Sequence, residues 1–187
     1  MIEISKIRKL SLWIFFLPLI AINLCLIISV NPEFLDETIF QVDQIGRSGF
    51  SIPYLDGSLS ISRASRTFPQ YLIFKPAMII TGILLFYYWS NYNRLICNLR
   101  NTENFKYKFR LFGILSAIFL IIHSIFLGVK FDIQLYKLFR RVVLLLFIIF
   151  ELIAQGMLVN YLYNVKDKVS EIIKKNILIL KICLVSI

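Results

Sequence analysis

The chain has 187 residues, of which 58% are hydrophobic and only 17% charged, and it carries a formal net charge of +10. A soluble domain is roughly half apolar and a quarter charged, so this composition excludes one and points to a single membrane domain over residues 1–187. The excess of Lys and Arg lies in the segments between apolar runs, without a basic helix face or an RNA-binding signature. It therefore indicates a membrane surface and no nucleic-acid partner.

The first apolar run spans residues 10–30. It is long enough for a bilayer, which takes about 20 residues. Although "SKIRK" precedes it, no A-x-A-like site follows, so it reads as an uncleaved anchor with Pro18 and Asn23 kinking it or facing other helices. Residues 31–70 form a long polar loop. The second run covers 71–89 and closes on Tyr87, Tyr88 and Trp89, expected as an interfacial aromatic belt, while Lys75 snorkels near its other end. The third and fourth runs cover 111–129 and 142–163. A fifth, 177–187, has 11 residues and stops without a polar flank; it reads as a truncated span or a half-inserted helix. The expected fold is all-α: a polytopic transmembrane helix bundle of four full spans plus a fifth partial or truncated one, with an ordered exoplasmic loop.

The positive-inside rule sets the expected orientation. With the N-terminus cytoplasmic, twelve Lys and Arg residues fall on the inner side and eight on the outer, with Lys181 inside the last run. No internal repeat or matched pair of broken helices supports a transporter built on inverted repeats.

Ionisable groups at membrane depth require partners or water. His123, the single histidine, lies in "FLIIHSIFLG", and Glu151 in "FIIFELIAQG" with Gln155 one turn later on the same face. Ser116 shares a face with His123. Counted along the helical rise, His123 and Glu151 differ in depth by about 4–5 Å, near enough for a direct pair. The set His123, Glu151, Gln155 and Ser116 is thus a candidate polar pocket for a lipid headgroup or a proton relay. The alternative is a structural interhelical hydrogen bond. One histidine, one embedded carboxylate and separated cysteines at 25, 97 and 183 fall short of a metal site, and no catalytic triad is legible. No catalytic residue, metal or cofactor is expected.

Residues 130–141, "KFDIQLYKLFRR", read as a short interfacial helix or turn. Arg140 and Arg141 there, with Arg63 and Arg66 from the long loop, are headgroup-binding candidates, since guanidinium forks match phosphate oxygens. The other reading is that they are snorkelling anchors. The expected partners are membrane lipids, with a second copy of the chain or another membrane protein as the protein partner.

Within the loop, "IPYLDG" closes extended backbone into an Asp-Gly turn, and "SLSISRAS" alternates with period two as a short strand does. An anchor followed by a long loop that ends in Pro53, Tyr54, Asp56 and Gly57 before a second helix resembles the Frag1/DRAM/Sfk1 superfamily. That resemblance implies a multipass protein of roughly six helices linked to lipid anchors and membrane lipid organisation, with embedded His and Glu residues. The expected role is non-enzymatic lipid engagement under an outer lid. The alternatives are a lipid-modifying enzyme using His123 and Glu151, a small-solute carrier, and a subunit of a membrane complex.

Overall fold

The computed structural model describes residues 2–31, 35, 38–40, 61–100, 107–129 and 134–164. The motif at residues 53–57 and the fifth apolar run lie outside the described residues. Five helices follow in order: α1 Ile2–Val30, α2 Ile61–Ala64, α3 Gln70–Arg100, α4 Lys108–Phe126 and α5 Gln134–Asn164. No strand occurs among the described residues. In hydrocarbon every backbone donor and acceptor must bond within the protein, which leaves long apolar runs no alternative to helix.

The helices α1, α3, α4 and α5 are long and apolar enough to cross a membrane. The protein is an all-α bundle and an integral multipass membrane protein. With 31 residues each, α3 and α5 are about 46 Å long and overrun a ~30 Å hydrocarbon core. This length corrects two expected boundaries. The second span continues past Trp89 to Arg100, and residues 134–141 are the opening turns of α5 rather than a separate interfacial element. The first extension carries Asn91, Arg94 and Asn98 and the second Lys137, Arg140 and Arg141, so the helix persists while polar side chains reach the headgroups. The third span ends earlier than expected, at Phe126, and Gly128 takes φ +82° just beyond it, a conformation that suits a residue without Cβ.

The expected strand before Pro69 is replaced, from Ile61 on, by the helical turn α2. Its backbone bonds are local: Ser65 N donates to Ile61 O at 3.0 Å and Arg66 N to Arg63 O at 3.2 Å. Side chains complete the turn, with Thr67 Oγ1 donating to Ala64 O at 2.9 Å. Period-two alternation makes a strand only where a neighbour supplies a ladder; here nearby carbonyls and hydroxyls satisfy the chain instead.

Consecutive spans run antiparallel. Asn98 Nδ2 donates to Glu3 Oε2 at 3.0 Å at one end of the α1–α3 pair, and the Gln70 amide lies 3.2 Å from Ser29 Oγ at the other. Asn93 Oδ1 accepts from Tyr107 N at 2.9 Å where α3 meets α4, and Lys75 Nζ donates to Ile125 O at 3.3 Å at the opposite end of that pair. Close seams join α1 to α3, α3 to α4 and α4 to α5, with α2 laid on α1. Among the described residues α1 and α5 form no comparable seam, so the row of four helices does not close into a ring.

The core includes a stripe on α3, Leu85, Tyr88, Trp89, Tyr92, Leu95 and Ile96, and α4 turns a small face of Gly113, Ser116, Ala117 and Ser124 inward, with Gly113 against Trp89. Small residues at a helix crossing let backbones approach where lipid offers no hydrophobic drive. The aromatic belt is corrected here: Tyr87 is 55% exposed, but Tyr88 is buried and Trp89 is 0% exposed. Three consecutive helical residues point about 100° apart, so a sequence-adjacent cluster divides between lipid and core.

Candidate functional site: a cavity between the first and last spans

The gap between α1 and α5 holds a cavity of about 520 Å3. That falls in the range of roughly 300–1,000 Å3 typical of small-molecule sites. Its wall is largely apolar: Ile14 and Pro18 of α1, Phe74, Met78 and Leu85 of α3, Leu120 and Leu127 of α4, Leu144 and Phe147 of α5. Pro18, expected to kink α1 or face other helices, thus faces this space within a continuous helix. Ile61, Ser62 and Ser65 cross one end; Thr81, His123 and Glu151 supply the remaining polar groups. On α5 the residues 140, 144, 147 and 151 recur at helical spacing along one stripe. It runs from the α2 end inward over eleven residues, about 16 Å of helix.

Glu151 closes the deep end. Its Oε2 accepts from Ser116 Oγ at 2.7 Å and from Trp89 Nε1 at 3.2 Å, and its Oε1 accepts from Gln155 Nε2 at 3.0 Å. Three helices therefore meet at one carboxylate. Ser116 Oγ also lies 2.8 Å from Gly113 O, so its single proton serves two acceptors. Gly113 provides the seat for Trp89: a Cβ there would run into Cγ, Cδ1 and Cδ2 of the indole. Of the four expected pocket residues, Glu151, Gln155 and Ser116 come together in this network.

His123 lines the same cavity but does not reach Glu151. The register explains why. Ser116 stands opposite Glu151, and His123 lies seven residues further along α4, two turns or about 10.5 Å toward the α2 end. The direct pair considered from span boundaries is thereby excluded: those boundaries placed the end of the third span at residue 129, three residues beyond the observed Phe126, and the start of the fourth eight residues late. The His123 side chain instead neighbours the Arg140 backbone.

At the mouth Arg66 lies near Arg140 and Arg63; burial and these two cations, in that order, lower its pKa from the ordinary value. The Arg66 guanidinium also donates from Nε to Ser62 O, and Arg140 lies over the Tyr136 ring at 5.4 Å. Arg141, one residue further on, is exposed. Among the described residues no group of His, Cys, Asp and Glu is placed to hold a metal.

Trp89 and Gly113 belong to the site, and the sequence reading missed both. The signal for Trp89 was the i, i+3, i+4 stripe from Leu85 to Ile96; for Gly113 it was the small-xxx-small pair with Ala117. Comparison of the chain with protein-family models, curated proteins and solved structures finds no match.

Proposed function

We propose that this is a non-enzymatic membrane protein that holds the apolar chain of a lipid in the cavity between α1 and α5. The observation that carries this reading is the cavity itself: an apolar space walled by all four spanning helices, on the side where the first and last spans form no close seam. A lipid chain has lateral access through such a gap, and α2 lies across one end. The excess of Lys and Arg on the N-terminal side, twelve against eight, supports a cytoplasmic N-terminus with the α2 end exoplasmic. The resemblance of residues 52–57 to a lipid-linked superfamily points in the same direction. Glu151, turned inward onto three donors, gives no outward polar face for the subunit reading, and its separation from His123 argues against the two acting as a directly coupled acid and base.

Native mass spectrometry after mild detergent extraction tests the proposal. The wild-type chain is expected to retain one lipid-mass adduct. Leu120→Trp places a large ring in the cavity and is expected to abolish the adduct while the protein stays helical and monodisperse. Retention of the adduct by a folded Leu120→Trp variant would refute the reading.

A further inference from the structure

Three polar side-chain atoms around the mouth of the cavity are shielded from solvent and lack a hydrogen-bond partner among the described residues: Ser65 Oγ, His123 Nδ1 and Arg140 Nε. Ser65 is 1% exposed and lines the cavity, as does His123. Arg140 sits one turn before Leu144 on the cavity stripe of α5. Buried polar groups are nearly always paired, so three such atoms around one opening mark a place where a ligand supplies the partners. Arg140 Nε can only donate and Ser65 Oγ can donate, so an acceptor satisfies both, and His123 Nδ1 joins them when it carries a ring proton. Arg66, joined to Ser62 of the cavity rim through its Nε, adds a second guanidinium beside Arg140. Like charges held together cost free energy that a bound anion relieves.

We propose that the cavity mouth is an oxyanion site, formed by Ser65, Arg66, His123 and Arg140, that holds the carboxylate or phosphate head of a single-chain amphiphile whose tail lies in the cavity. The proposal rests on the lipid-chain reading above and adds the charge and headgroup class of the ligand. Guanidinium groups bind both oxyanions through paired N–H donors, and Ser65 and His123 give the shorter, directional contacts. The apolar wall beyond the mouth has room for the tail, and Glu151 beyond it is already satisfied by Trp89, Ser116 and Gln155.

The two tryptophans permit a direct test. Trp13 is 61% exposed on α1, whereas Trp89 is fully buried beside the deep end. In a Trp13→Phe background, chains brominated near their ends are expected to quench Trp89 only from within the cavity. Dibromostearate and a brominated lysophosphatidate should quench at about tenfold lower mole fraction than a brominated long-chain alcohol. Arg66→Gln with Arg140→Gln should erase that difference, and Lys75→Gln, a cation bonded to Ile125 O at the same end, should leave it intact. Inorganic phosphate at matched concentration should not displace dibromostearate; equal displacement would make this a site for a soluble anion and overturn the headgroup assignment. Equal quenching by acid and alcohol would overturn the oxyanion site but leave chain binding standing. Absence of quenching by every probe would remove both.

Discussion

Glu151→Ala is expected to destabilise the bundle by about 2–3 kcal/mol, whereas Glu151→Gln should lose less than about 1 kcal/mol. The alanine variant removes the acceptor for three donors at once. Ser116 retains Gly113 O at 2.8 Å, and Gln155 is only half-buried and can turn. Trp89 cannot: its indole is fully enclosed, and its Nε1–H loses the one acceptor it has among the described residues. An unsatisfied buried donor costs about 1–3 kcal/mol and sets most of the loss. Glutamine keeps a carbonyl oxygen for Trp89 and approximately the same volume. Its change is comparable to one interhelical hydrogen bond in a membrane, about 0.6 kcal/mol on average. Thermal unfolding in a fixed detergent, read alongside Trp89 emission in a Trp13→Phe background, separates the two. Equal losses for alanine and glutamine would show that the hydrogen bonds contribute nothing beyond packing.

Gly113→Ala is expected to cost about 1–2 kcal/mol and to displace Trp89 from Glu151. Two effects compete. Alanine in place of glycine favours a helix by about 1 kcal/mol, and overpacking a tight contact costs about 1–3 kcal/mol. Overpacking wins because the new methyl meets the rigid body of the indole, not the end of a flexible chain, and the indole is enclosed on every side. The sign of the change is therefore diagnostic. Combining Gly113→Ala with Trp89→Leu should recover at least about 0.5 kcal/mol relative to the sum of the single losses, as expected for residues in direct contact. A stabilising Gly113→Ala would mean that the indole does not rest on this glycine.

The four spans were legible because nothing in a soluble fold demands apolar runs of that length. Their ends were not legible, because hydropathy falls where a helix enters the headgroups although the helix continues. Residues 134–141 illustrate this: their charges ended the apolar run, yet the backbone is the start of α5. The boundary error then propagated into the site. Placing the fourth span eight residues short left His123 and Glu151 nearly level, and the observed register separates them by two turns. Gln155 was legible from i, i+4 spacing alone, since that contact lies within one helix. Trp89 was not, because its partner is 62 residues away and the run of three aromatics hid the direction in which each one points. Arg66 and Arg140 were recognised by residue type; their approach joins the turn after α2 to α5 and has no signal in local sequence.

Photo-crosslinking tests most directly whether a lipid chain lies between α1 and α5. The protein would be reconstituted with a fatty acid carrying a diazirine along its chain, irradiated, and the adducts mapped by mass spectrometry. Adducts are expected to concentrate on the cavity wall, at Met78, Leu120 and Phe147, above those on Leu12, Phe15 and Ile149 of the exposed apolar faces. Adducts confined to the exposed faces, with the cavity wall unlabelled, would contradict a lipid chain in the cavity.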